Sequence, residues 1–67
     1  MAWTDCKSSM IQRYDYDPDM RVLHLQFGSG RIASLQSVPQ HVMDAFLAAE
    51  SKGKFFHSQL RDQYKAL

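Results

Sequence analysis

The sequence has few of the residues that cross-link a small fold or interrupt its helices and strands. It contains one Cys, two Pro and three Gly among 67 residues. A single cysteine excludes an internal disulfide and a cysteine-based zinc site within one chain. No stretch reaches the roughly 18 to 20 apolar residues that span a bilayer, and the first residues lack the apolar run of a signal peptide. We therefore expect a cytoplasmic protein without a membrane segment.

A strong charge of one sign is also missing, because eight Lys and Arg residues oppose seven Asp and Glu residues, giving a net charge of +1. The charge is nevertheless uneven. Residues 52–67 carry four basic residues against one acidic residue, whereas residues 1–51 carry four against six. This C-terminal basic patch is weaker than that of a dedicated DNA-binding protein, and its simplest explanation is a solvated helix face.

Catalytic and metal-binding patterns are equally scarce. No two histidines have the four-residue spacing that places two ligands on one helical face. Asp15, Asp17 and Asp19 alternate like calcium ligands, but Pro18 interrupts them and the glycine and distal glutamate of an EF-hand loop are missing. No local pattern holds a histidine near Cys6. We expect no enzymatic activity, no cofactor and no metal ion.

The length and composition fit a single globular domain over residues 1–67, with 45% hydrophobic and 22% charged residues. A domain of this size removes only about 60% of its unfolded surface from water, so the core is thin. Weak homo-oligomerisation is therefore a further expectation.

Hydrophobic spacing predicts an α+β domain in the order β-β-β-α-α. Alternation indicates strands at residues 10–16, 21–27 and 31–36, joined by turns at residues 17–19 and 28–30, which form a three-stranded antiparallel meander. Helical spacing indicates helices over residues 39–50 and from about 52 to 64, packed on one face of the sheet and leaving the other open. The predicted core contains Ile11, Leu23, Leu25, Phe27, Val42, Phe46, Phe56 and Leu60.

The start of the second predicted helix is the most suggestive segment chemically. Free N–H groups at a helix start favour an anion, Gly53 permits close approach, and Lys52 and Lys54 add positive charge. The alternative is that Ser51 caps the helix, the glycine relieves the turn and the lysines are solvated. The predicted anion or nucleic-acid site comprises Ser51, Lys52, Gly53, Lys54, Arg61 and Lys65.

Several short sequence segments make the chain resemble the KTSC domain. This short domain is found at the C-terminus of some lysyl-tRNA synthetases and as a free-standing bacterial or phage protein. The matching phrases are Ser8-Ser9-Met10-Ile11, Tyr16-Asp17-Pro18, residues 23–27, Gly30, Val38-Pro39, Ala45-Phe46-Leu47 and Ser51-Lys52-Gly53-Lys54-Phe55-Phe56. The resemblance covers residues 8–64. It implies a domain of unestablished function for which RNA binding has been suggested.

One family feature is altered, because the central Tyr-x-Tyr of the family falls on Ala33 and Leu35. If those tyrosines stack on bases from the open sheet face, this chain has lost that surface, and only Tyr14 and Tyr16 could partly substitute. If they are structural, Ala33 and Leu35 only repack the sheet. An apolar pair on the open face suits a protein contact better.

Two functions follow from these observations. The first is a small binding module for RNA or single-stranded DNA, supported by the resemblance and the basic patch. The alternative is a protein-interaction module, such as a phage-borne inhibitor or adaptor acting on a host protein. It is supported by the small size, the open face and the unpaired sheet edge expected for such a fold.

Overall fold

Four antiparallel strands form one sheet in the computed structural model, which describes residues 3–67. The strands are β1 (Thr4–Asp5), β2 (Ile11–Asp17), β3 (Val22–Phe27) and β4 (Ile32–Leu35), and each pairs with the next along the chain. The expected α+β class, antiparallel meander and two helices are confirmed, but the predicted number of strands, three, was wrong. The additional strand β1 has only two residues, too short to give an alternating pattern.

The turns have the side chains and backbone angles that their positions require. Between β2 and β3, one carboxylate oxygen of Asp17 accepts the N–H groups of Asp19 and Met20, which closes the predicted turn. Arg21 ends this turn with a φ of 56°. Between β3 and β4, Gly30 has a φ of 93°, which glycine adopts without steric cost.

Two helices follow the sheet. Helix α1 spans Gln40–Ala48, with Pro39 at its N-cap rather than inside its first turn. Helix α2 spans Lys52–Phe55 and runs directly into a π-helical turn, Phe56–Leu60. We refer to residues 52–60 together as the second helix. It ends four residues before the predicted end, and residues 61–63 form a turn.

The core lies between one face of the sheet and the two helices. Six of the eight predicted core residues are buried, while Phe27 and Val42 are half-buried and pack against the others. The buried apolar set is Ile11, Leu23, Leu25, Leu35, Val38, Met43, Phe46, Phe56 and Leu60.

Tyr14, Tyr16, Ala33 and Leu35 lie on the helix-covered face of the sheet, so their predicted place on the open face was wrong. Antiparallel pairing sets Tyr14 and Ala33 opposite Leu25, and it sets Tyr16 and Leu35 opposite Leu23. Directly opposed residues project from the same face. The cause on β2 is a bulge between Ile11 and Arg13, which adds one residue and reverses the alternation that follows.

The last residues of the chain add to the outer edge of β4. The N–H of Gln36 donates to the Lys65 carbonyl at 3.0 Å, and the N–H of Leu67 donates to the Ser34 carbonyl at 2.8 Å. An antiparallel bridge joins Leu35 to Ala66. Part of the sheet edge that we expected to be unpaired is therefore covered, while Ile32 stays 54% exposed.

Candidate nucleic-acid interface

The residues predicted to bind an anion at the start of α2 make contacts that hold the two helices together. The Ser51 hydroxyl accepts the N–H of Lys54 at 3.3 Å and so caps α2. The Lys52 ammonium donates to the carbonyl oxygens of Ala49 at 2.6 Å and Leu47 at 3.1 Å. These carbonyls lie at the end of α1, where a helix leaves its last acceptors unpaired. Lys52 is thus engaged in capping the first helix.

Gly53 is buried beneath Met10, which gives the glycine a packing role. A Cβ atom at Gly53 would lie 2.8 Å from the Met10 sulfur and 3.1 Å from its Cβ. The two phenylalanines that follow anchor the same segment. Phe55 packs edge-on against Phe46 at 5.9 Å between ring centroids, and Phe56 packs against Phe27 at 5.2 Å. Ser51, Lys52 and Gly53 are therefore accounted for by local structure.

The remaining predicted cations do not all lie at the start of α2. Lys54 is exposed on the second helix, and Arg61 is exposed just after it. Lys65 lines a separate depression with Gln36, Ser37, Gln63 and Tyr64. The six residues of the predicted site therefore do not converge on one ligand position.

Two arginines and a histidine from different elements do meet, in a groove between β4, the second helix and the C-terminal segment. We call it the basic groove; its volume is ≈ 520 Å³, and the residues lining it include Phe27, Arg31, Ala33, Phe56, His57 and Arg61. A terminal nitrogen of Arg61 lies 3.5 Å from His57 Nδ1. No Asp or Glu is among the described residues that line the groove. Arg31 and Arg61 therefore supply the formal charges of its lining side chains, while Phe27, Ala33 and Phe56 supply apolar surface.

The exposed face of the second helix extends this set of side chains. Lys54, His57 and Arg61 are all exposed, at spacings of three and four residues. Residues that far apart are neighbours on a helix surface. Of Arg31, His57 and Arg61 in the groove, the sequence pointed to Arg61 alone. Arg31 and His57 were missed because they come from separate elements that only the folded chain brings together.

The sheet face away from the helices carries polar and aromatic side chains. The Arg13 guanidinium lies 4.6 Å from the centre of the Trp3 ring and hydrogen-bonds the Gln26 side chain. His24 Nδ1 and the Ser34 hydroxyl are 2.7 Å apart, which agrees with the predicted orientation of His24 away from Leu23 and Leu25. These polar groups are paired with each other across the strands, which leaves them less available to a ligand.

The only thiol of the sequence, on Cys6, is half-buried against the core. Burial raises the pKa of the Cys6 thiol, and the nearby Lys52 ammonium partly opposes that rise. A raised pKa disfavours the thiolate, the nucleophilic and metal-binding form. Within residues 3–67, no three His, Cys, Asp or Glu side chains are grouped so that they could hold a metal ion. In the same part of the chain, no helix has the length and apolarity needed to cross a membrane.

Comparison with known proteins places this geometry in a family. The model of the KTSC domain matches residues 7–64. An uncharacterised protein of Stutzerimonas stutzeri is 33% identical over 58 residues, which cover 87% of this chain and 82% of that protein. A lysine–tRNA ligase of Nostoc is 37% identical over 59 residues, 88% of this chain but 10% of the ligase. The crystal structure of a KTSC domain protein from Yersinia pestis superimposes with a TM-score of 0.93 at 30% identity, covering 98% of this chain and 93% of that chain.

Proposed function

Because the chain belongs to the KTSC domain family, we propose that it is a non-catalytic module that binds nucleic acid, with RNA as the first candidate. The observation that carries the proposal is the meeting of Arg31, His57 and Arg61 at the basic groove, with no carboxylate side chain among its lining residues. Neutralisation of phosphates by Lys and Arg supplies much of the affinity of proteins for nucleic acids. Lys54 adds a further charge along the second helix.

Two relatives support RNA as the nucleic acid. Both are lysine–tRNA ligases, from Nostoc and from Trichormus variabilis, and by their name they act on tRNA. The region similar to this chain makes up 10% of each ligase. A segment of that size in an enzyme that handles tRNA is suited to holding the RNA while another part of the enzyme carries out the reaction.

The module is assigned no catalytic role. Its polar groups are mostly exposed or paired with each other, and its thiol is held in the neutral form by burial. Catalysis needs a nucleophile or base with a suitable pKa in a site that excludes water. The basic groove is open and has two Arg groups that suit phosphate binding.

Fluorescence anisotropy with labelled RNA and single-stranded DNA at increasing salt tests the proposal. Replacing both Arg31 and Arg61 by Glu should abolish binding or weaken it strongly. Milder Ala replacements should reduce the slope of log affinity against log salt by about two phosphate contacts. The matched control replaces Lys7 and Arg21 by Glu, two exposed cations outside the groove lining. If control and groove variants lose the same affinity, binding is a general effect of charge and the groove is not the site.

A protein partner is the second candidate, favoured by apolar side chains at the groove rim. Ile32 is 54% exposed and Leu67 is 71% exposed, and both line the groove. Capture of partners by the tagged protein from lysate, with and without nuclease, separates the two functions. RNA recovered in a salt-sensitive way supports the first, and one stoichiometric protein that survives nuclease supports an adaptor or inhibitor.

A further inference from the structure

We propose that the basic groove takes one unpaired nucleotide, with its base against Ala33 and Phe27 and its flanking phosphates on Arg31 and Arg61. This inference rests on the proposed function and specifies it. The module would then select single-stranded over double-stranded nucleic acid, because a base inside a duplex is not available to enter a groove.

The size of the groove is appropriate for a nucleotide. Its ≈ 520 Å³ lies within the range of about 300 to 1,000 Å³ that is usual for small-ligand sites. A shallow surface depression beside the groove shares Phe27 and Arg31 with it and extends past Gly28 to Met10. Arg31 therefore lies between two adjoining depressions, a suitable position for the phosphate that links two successive nucleotides.

The groove has an apolar part and a charged part, and this arrangement favours an unpaired base. Phe27 and Phe56 pack edge to face at 5.2 Å, and the short side chain of Ala33 lies beside them. An apolar lining gains little from the phosphates of a duplex, whereas an unstacked base presents a flat, weakly polar face to it. Arg31 and Arg61 then provide the complementary charge for the backbone on either side of that base.

Ala33 contributes only a methyl group to the groove lining. It lies on β4 opposite Leu25. A tyrosine at this position would project into the groove, because Ala33 already lines it. Ala33→Tyr therefore fills the groove without changing any charge. This substitution separates base insertion from simple phosphate attraction.

The decisive measurement compares the affinity of the protein for three kinds of probe. These are a short single-stranded RNA, the same RNA in a duplex, and a series of the same single strand in which one abasic nucleotide is moved along the sequence. We expect the single strand to bind about tenfold or more tightly than the duplex, and one abasic position to cost about tenfold. Ala33→Tyr should cost a similar factor for the single strand while leaving the salt slope unchanged. Ala48→Tyr, at an exposed position of α1, is the control and should bind normally.

The outcomes distinguish this inference from the proposed function. Equal affinity for single strand, duplex and abasic strand, with binding still lost on replacing Arg31 and Arg61 by Glu, would overturn base insertion and leave nucleic-acid binding intact. No salt-sensitive binding to any of these probes would overturn both. The abasic probes use the wild-type protein, so they decide the question even if Ala33→Tyr does not fold.

Discussion

The hydroxyl of Tyr16 donates a 2.6 Å hydrogen bond to the carbonyl oxygen of Val38, which joins β2 to the connection between β4 and α1. Val38 is fully buried, and its own N–H donates to the Arg21 carbonyl at 2.8 Å. This tyrosine therefore fixes the chain at the point where it leaves the sheet for the first helix.

Tyr16→Phe should lower the free energy of unfolding by about 1 to 2 kcal/mol, because the Val38 carbonyl would lose its partner in a buried setting. Urea denaturation measures the change. Tyr14→Phe is the matched control, since Tyr14 contacts the core through its ring, edge-on to Phe46 at 5.8 Å. We expect that variant to stay within about 0.5 kcal/mol of wild type. Equal losses in both variants would contradict a structural role for the Tyr16 hydroxyl.

Gly53→Ala should show strong coupling to Met10. Alanine favours a helix over glycine by about 1 kcal/mol, but here its Cβ would meet the Met10 side chain at 2.8 Å. We expect Gly53→Ala to be less favourable in wild type than in a Met10→Ala background by about 1 kcal/mol. A double-mutant cycle measured by chemical denaturation checks this. Additive effects would show that glycine is needed for some reason other than contact with Met10.

Leu25→Ala and Phe46→Ala should each cost about 2 to 5 kcal/mol, because both side chains are fully buried in the single core. A core this small supplies few kcal/mol in total, so either variant should lose most of its cooperative thermal transition. Leu47→Ala, at an exposed position of the same helix as Phe46, is the control and should melt nearly as wild type does. Circular dichroism gives the melting curves.

Lys52→Met should raise the pKa of Cys6 further, since the Lys52 ammonium favours the thiolate against the effect of burial. The rate of alkylation as a function of pH reports this pKa, and Lys54→Met is the control. Burial already raises the pKa of Cys6 above its ordinary value of 9.0. The stability that comes from the neutral buried thiol is therefore complete below that value and is lost as the pH rises through the folded-state pKa. An unchanged alkylation profile in Lys52→Met would contradict the coupling.

Local pattern was enough to predict β2 to β4 and both helices, because each has its own hydrophobic period and its own turn or cap. The faces of the strands were harder to predict. From Ile11, strict alternation would direct Tyr14 and Tyr16 away from the core, and the bulge after Ile11 reverses this. A bulge depends on pairing with another strand, and nothing in the sequence of β2 alone specifies it.

The candidate site was predicted only in part, for a related reason. Lys52 and Gly53 looked like a binding loop because cations and glycine are common in such loops, but the same residues also suit a helix cap and a close contact with Met10. The basic groove joins Arg31, after a β-turn, to His57 and Arg61 near the end of the chain. The proximity of these residues depends on tertiary structure and cannot be predicted from their spacing in the sequence.

The geometry of the groove depends on the number of residues in the π-helical turn at residues 56–60. The N–H of Arg61 donates to the Phe56 carbonyl at 2.7 Å, five residues back, where a regular α-helix would use a partner four residues back. Loss of one residue from this turn would restore the α-helical pattern and rotate Arg61 about the helix axis relative to Phe56. An alignment could then show the arginine in a related chain although it no longer faced the groove. Among homologous chains, insertions and deletions in this turn would therefore report on binding more directly than the identity of the aligned residue.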